Sequence, residues 1–217
     1  MFEDSFGFRQ TPFGKDLAPQ NLFMSAGYQE LLSRMQYVVK IRGIGVVAGD
    51  IGCGKTTAVR ALASSLDPAG YRFLYLVAPN SPRGMYRILC GQLALEPRWL
   101  TMDAARQVTE ALDSLTRRGI TPVLVVDEGQ LIPEPVLTAL RFLSQGELDA
   151  LSPLALIILG HPALRKTLEL KKHEALAQRI NIHYYLISPG GSGNRRVHRA
   201  SPAGGRPRGT ALHPGGR

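Results

Sequence analysis

The chain has 217 residues, a formal net charge of +9, 44% hydrophobic residues and 20% charged residues. These values suit one globular domain with a real core and exclude a long disordered polymer. No run of about 18 uncharged apolar residues occurs, which excludes a helical membrane span, and two cysteines are too few for a disulfide scaffold.

Residues 1–27 carry Phe6, Phe8, Pro12, Phe13 and Phe23. Aromatics are rare in disordered segments, so this stretch is expected to pack on the body as an aromatic, proline-bearing linker. It lacks the basic start and apolar centre of a secretory leader, which with the sparse cysteines sets the expectation of a cytoplasmic protein without membrane contact. Leu31, Leu32, Met35, Val38 and Val39 recur at helical spacing and predict a helix over 28–40. Arg42-Gly-Ile-Gly-Val-Val-Ala48 reads as a short buried strand.

Gly49-Asp-Ile-Gly-Cys-Gly-Lys55-Thr56 then fits G-x-x-x-x-G-K-[ST], the phosphate-binding loop of nucleoside triphosphatases. Gly49, Gly52 and Gly54 let the backbone turn its N–H groups inward as a nest for phosphate oxygens, with Asp50, Ile51 and Cys53 between them. Lys55 is expected to reach the β- and γ-phosphates, and the Thr56 hydroxyl to sit on Mg²⁺. Thr57 follows in the first turn of an apolar-faced helix over 56–66, whose N-terminal dipole end favours anions. Strand, glycine-rich loop and helix are the setting the motif requires, so a nucleoside triphosphate with Mg²⁺ is the expected ligand.

Tyr71–Ala78 is a strand candidate and 82–95 a helix. Thr101 is placed to cap a further helix, with Ala104, Ala105, Val108, Ala111, Leu112 and Leu115 on one face and Gly119 ending it. Pro122-Val-Leu-Val-Val-Asp127-Glu128 is too apolar to alternate, as befits a strand buried on both faces. At its end Asp127 is a candidate Mg²⁺ ligand and Glu128 a candidate base for the attacking water. The alternative, two acids that merely end a strand, is weakened by the phosphate loop upstream and the strand between them.

Residues 133–145 read as a helix, 153–160 as a buried strand, 162–180 as a helix and 181–187 as a last strand. Strands alternating with helices predict an α/β fold, a parallel sheet in a three-layer sandwich with helices on both faces. His161 is then a candidate polar sensor of the γ-phosphate; otherwise it is a surface histidine that starts a helix. Arg179 is a candidate arginine finger for a neighbouring subunit's nucleotide, or else a basic helix end favoured by the dipole. Arg165, Lys166, Lys171 and Lys172 form a solvated face, with contact to DNA as the alternative. From Ser188 onward there are eight glycines, four prolines, six arginines and no acid, so the first 187 residues carry only 9 − 6 = +3. That segment cannot bury enough surface to offset its ordering entropy, and disorder is expected over 188–217.

These motifs in this order resemble the AAA+ ATPases of the ExeA type. That group includes general-secretion ATPases and transposition helpers (TniB-like), and it is similar to the origin-recognition AAA+ proteins. The resemblance spans roughly residues 4–187 and carries a core over 28–187. It implies a P-loop NTPase fold, Mg²⁺-dependent ATP hydrolysis and a homo-oligomer. It also implies, in the transposition branch, double-stranded DNA and a transposase as partners. Lys55, Thr56, Asp127, Glu128, His161 and Arg179 take by that likeness the roles given above. The chain departs from the pattern at Cys53, where serine is more usual, and at His161, where glutamine is more frequent. The family's helical lid has no counterpart after Ser188, so the expectation is a truncated or frameshifted end with impaired hydrolysis and assembly. The favoured function is an ATPase acting on DNA as a transposition helper. The alternatives are a secretion-associated ATPase and a nucleotide-binding, hydrolytically inactive interaction protein.

Overall fold

The structure is a computed structural model that describes residues 26–145 and 152–186. Expectations for the aromatic segment 1–27 and the tail 188–217 therefore lie outside the described residues, Ala26 and Gly27 excepted. Five strands form one parallel sheet: β1 (Ile44–Gly49), β2 (Tyr71–Val77), β3 (Thr121–Asp127), β4 (Ala155–Gly160) and β5 (Ile180–Leu186). Their order across the sheet is β2-β3-β4-β1-β5. Helix α1 (Ala26–Ile41) leads into β1, and α2 (Lys55–Ser65) joins β1 to β2. Helices α3 (Pro82–Gln92) and α4 (Thr101–Arg117) join β2 to β3, α5 (Glu134–Leu143) follows β3, and α6 (Ala163–Leu168) and α7 (Glu174–Ala177) lead to β5.

Successive strand residues point to opposite faces, so an apolar run without alternation fills two cores at once. Val46, Leu124, Val126, Leu156 and Ile158 bury one face beneath α3, α4, α5 and α6. Val47, Val123, Val125, Ala155 and Ile157 bury the other beneath α1 and α2. The result is a three-layer α/β sandwich of the P-loop NTPase type, as the strand–helix alternation predicts.

Most boundaries shift by one or two residues from the sequence reading, and three differences have a clear physical cause. Helix α3 starts as expected, with Ser81 Oγ accepting from the Gly84 N–H at 3.2 Å and Pro82 at the first position. It stops at Gln92 because Ala94 turns left-handed (φ 57°) and the Leu95 N–H closes back on the Cys90 carbonyl at 2.8 Å. Leu93 and Leu95 thereby return to the core. In α4 Thr101 is the first helical residue and Leu100 the cap, because the Leu100 carbonyl already accepts from Ala104 at 3.0 Å. Gly119, left-handed at φ 77°, ends that helix as expected.

The helix expected over 162–180 is broken into α6, a 3-10 turn at Lys171–His173, and α7. Leu164, Leu168 and Leu176 all belong to one core cluster. On a straight helix Leu176 would face about 120° away from Leu164, at 100° per residue. The break turns Leu176 inward, and it leaves Arg179 in a turn rather than at a helix end.

Candidate functional site

The phosphate loop leaves β1 at the C-terminal edge of the sheet. Gly52 (φ 77°) and Gly54 (φ 95°) hold the left-handed conformations that turn it, and Gly54 is also the N-cap of α2. Gly49 is glycine for a different reason. A Cβ there would stand 2.7 Å from both Cys53 Sγ and the Leu186 carbonyl oxygen, so the loop's first residue is wedged between its own turn and β5. Cys53 is buried, with its Sγ 3.8 Å from Lys55 Nζ. Ile51 lies at the exposed tip, and Asp50 is exposed beside it.

Lys55 Nζ donates to the Gly49 carbonyl at 2.7 Å and the Asp50 carbonyl at 2.8 Å, so the ammonium lies across the loop it follows. Thr56, one residue on, leans from the first turn of α2 toward β3. Its Oγ1 donates to Asp127 Oδ2 at 3.3 Å. Thr57 contributes its backbone to the same turn, its carbonyl accepting from the Tyr28 hydroxyl at 3.3 Å.

Asp127 is buried at 6% exposure, and each of its oxygens is engaged. Oδ1 accepts from the Glu128 N–H at 2.8 Å, while Oδ2 accepts from Thr56 and from the Tyr75 hydroxyl, the latter at 2.7 Å. Tyr75 carries no motif and was missed at the sequence level. Its only signal is strand register: Tyr75 pairs with Val125, two residues before Asp127, and so shares that residue's face. Burial first, then the bond to the Asp127 carboxylate, pushes the Tyr75 phenol well above its ordinary range.

Glu128 lies just past β3 rather than within it, in a left-handed conformation (φ 54°) that non-glycine residues rarely adopt. Its side chain is exposed. Gly129 follows in a place without room for a Cβ, which would meet Ile158 Cγ2 at 2.7 Å and the Leu159 carbonyl oxygen at 2.8 Å. The turn is thus seated on the end of β4. Gln130, also overlooked in the sequence, donates from Nε2 to Glu128 Oε2 at 2.6 Å and accepts at Oε1 from the His161 N–H at 2.8 Å.

His161 begins the chain beyond β4, which lies between β1 and β3, with Gly160 paired to Ala48. That position is between the phosphate loop and the Asp127-Glu128 pair. Its side chain is exposed, with Nδ1 accepting from the Ala163 N–H at 3.4 Å. Arg179 is the one predicted site residue not brought to this edge. Ile180 pairs with Ile44, the first residue of β1, whereas the loop departs after Gly49. Arg179 precedes Ile180, so about six residue steps at about 3.3 Å, roughly 20 Å, separate it from the loop along the strand direction. Arg165 and Lys172 are held in exposed pairs, with Glu169 at 2.8 Å and Glu134 at 2.6 Å, as a solvated face requires. The Lys172 hydrogen bond and charge hold the Glu134 carboxyl below its usual range.

The donor set fits a nucleoside triphosphate with Mg²⁺. At Gly52 and Gly54 a Cβ would meet nothing within 4 Å, so these two glycines border open space. Thr56 Oγ1 and the Asp127 carboxylate converge as hard oxygen donors. Mg²⁺ is held in this way, by one or two protein oxygens with water and substrate phosphates completing the shell. Among the described residues no group of three or more His, Cys, Asp or Glu forms an all-protein metal cage, and no helix is long and apolar enough to cross a membrane. Cys53 and Cys90 are both free and buried.

Known proteins share this fold. The chain is 29% identical over 194 residues to general secretion pathway protein A of Aeromonas hydrophila, covering 86% of this chain and 35% of that protein. Among solved structures it is similar to Cdc6p from Pyrobaculum aerophilum, with a TM-score of 0.62 and 19% identity over 80% of this chain and 48% of the other. It is also similar to the Aeropyrum pernix ORC2 protein in its ADPNP-ADP complexes, with a TM-score of 0.60 and 17% identity over 81% of this chain and 50% of the other. The chain thus spans about a third of the curated relative and half of the solved ones. Residues 39–168, from the end of α1 through α6, match the AAA domain model, and the chain belongs to that family.

Proposed function

We propose that the chain binds ATP at the phosphate loop and hydrolyses it with Mg²⁺, using binding and turnover to control assembly with a partner. The observation that carries this is the approach of Thr56 Oγ1 to Asp127 Oδ2 at 3.3 Å, two metal-type oxygens from different elements beside the loop. In this reading Gly49, Asp50, Ile51, Gly52, Cys53, Gly54, Lys55, Thr56 and Thr57 surround the phosphates. Lys55 exchanges its carbonyl partners for phosphate oxygens, and Thr56 and Asp127 hold the Mg²⁺. The metal supplies charge neutralisation on the β- and γ-phosphates. Glu128 accepts the proton of the water that attacks the γ-phosphorus, as the bond to the ADP oxygen breaks. His161 contacts the γ-phosphate from the end of β4. Arg179 serves a neighbouring copy, since it stands at the edge of the sheet opposite its own loop.

Likeness to general secretion pathway protein A favours the secretion-associated type of AAA+ ATPase. The DNA-linked transposition helper differs from it in one measurable way, dependence on duplex DNA. ATP turnover with Mg²⁺ is therefore measured with and without duplex DNA, beside a Glu128→Gln control. DNA-independent turnover that disappears in the control supports the secretion type, and turnover stimulated by duplex DNA supports the helper. Binding of ATP without turnover sinks hydrolysis and leaves a nucleotide-binding interaction protein.

A further inference from the structure

The Gln130 amide touches two groups with different tasks. Its Oε1 accepts from the His161 N–H at 2.8 Å, and its Nε2 donates to Glu128 Oε2 at 2.6 Å. A backbone N–H can only donate, so His161 fixes which end of the amide is oxygen, and the NH₂ must then face the carboxylate. The backbone beneath is equally constrained. Gly129 is pressed on Ile158 and the Leu159 carbonyl, and a Cβ at Gly160 would stand 2.8 Å from Gln130 Oε1 and 3.3 Å from the Gln130 nitrogen. The turn after β3 and the end of β4 therefore form one packed unit, with the amide as its polar cross-link.

We infer that Gln130 is a positioning residue that ties Glu128 to His161 through this single amide. The inference rests on the assignment of Glu128 as base and His161 as γ-phosphate contact. Any displacement of the β4 end carries the amide oxygen with His161, and the rigid amide carries the Glu128 carboxylate with it. A shift at the phosphate contact is thus transmitted to the group that aims the water. Neither Asp127 nor Tyr75 supplies this link, because Asp127 accepts from the Glu128 backbone N–H rather than holding its carboxylate, and Tyr75 donates to Asp127.

The test uses the full chain labelled with ¹⁵N-histidine, free of nucleotide, with the His161 amide assigned by its loss in His161→Ala. Glu128→Ala is expected to move the His161 amide resonance in the wild-type background, and the movement is expected to vanish in Gln130→Leu. Gln130→Glu keeps the acceptor for His161 and removes the donor to Glu128, so it too is expected to uncouple the pair. It also serves as the second variant if Gln130→Leu folds poorly. An equal movement with and without the Gln130 amide overturns the inference, as does no movement in the wild-type background. In turnover, Gln130→Leu is expected to lower kcat by about 10- to 100-fold with KM within about two-fold, the pattern of a misaimed catalytic group. Undiminished turnover in Glu128→Gln sinks the assignment of the base, while the resonance coupling separately decides the tie.

Discussion

Tyr75 and Asp127 lie on adjacent parallel strands, two register positions apart on the same face, and the Tyr75 phenol donates to Asp127 Oδ2 at 2.7 Å. The buried carboxylate is thereby held by three donors before any metal arrives: the Glu128 N–H, the Thr56 hydroxyl and the Tyr75 hydroxyl. Tyr75→Phe removes one donor without changing the ring. At neutral pH it is expected to cost about 1–2 kcal/mol, the low end for a hydrogen bond to a charged group because Tyr75 is only partly buried. The phenol's pKa is raised in the folded state, so its contribution is fully present below the ordinary tyrosine value near 10 and fades as pH climbs toward the folded value. Urea denaturation of both proteins should show a gap that is constant up to about pH 10 and narrows above it. A gap that stays constant into strong alkali would remove Tyr75 as the source.

Glu128 carries the next prediction, because its backbone sits at φ 54°. That conformation costs an L-residue about 1 kcal/mol and costs glycine almost nothing. Glu128→Gly and Glu128→Ala both lose the carboxylate and its bond from Gln130, so their difference isolates the torsion. Glu128→Gly is expected to be the more stable by about 1 kcal/mol, while both lose turnover by 100-fold or more, the scale of a lost general base. Equal melting temperatures would mean that the turn relaxes freely, and the strain would then have no part in aiming the carboxylate.

The glycines of the phosphate loop separate two physical demands that the motif alone does not distinguish. At Gly49 the obstacle is space, since a Cβ would meet the Leu186 carbonyl oxygen at 2.7 Å, and that oxygen belongs to backbone. At Gly52 space is open and only the φ of 77° is unfavourable. Gly49→Ala is therefore expected to destabilise by about 2–3 kcal/mol through overpacking, and Gly52→Ala by about 1 kcal/mol through torsion. Thermal unfolding of the two variants decides the order, and a reversed order would contradict the packing of the loop against β5.

Much of this was readable in the chain because backbone rules govern it. The apolar runs ending in Ala48, Asp127 and Gly160 are what a strand buried on both faces must look like, and the loop motif carries its own turn chemistry. The strand order was not in that pattern: β4 lies between β1 and β3 only in the folded sheet, and this brings the start of the chain beyond Gly160 beside the end of β1. Tyr75 and Gln130 were not readable. A tyrosine in a strand and a glutamine in a turn are common, and their bonds depend on register and on two cramped glycines that only the folded chain reveals. The long helix over 162–180 failed for a related reason. Local periodicity supported it, but burial of Leu176 beside Leu164 and Leu168 required a break.

Arg179 offers the sharpest test of assembly, since its place before β5 separates it from its own phosphate loop by most of a strand. If it acts at all in hydrolysis, it must act on another copy. Arg179→Ala and Glu128→Gln then damage different halves of a shared site. Each variant alone is expected to lose about 1000-fold or more in turnover, the scale of an absent arginine finger or a strongly impaired base. Mixing them restores a complete site wherever an Arg179→Ala copy receives the arginine of a Glu128→Gln neighbour, about one interface in four for an equal random mixture in a head-to-tail assembly. Turnover of the mixture should therefore exceed the sum of its parts by orders of magnitude and should rise with protein concentration. A mixture no more active than its components, or an Arg179→Ala protein that turns over at the wild-type rate, would leave Arg179 as an ordinary basic residue at a turn.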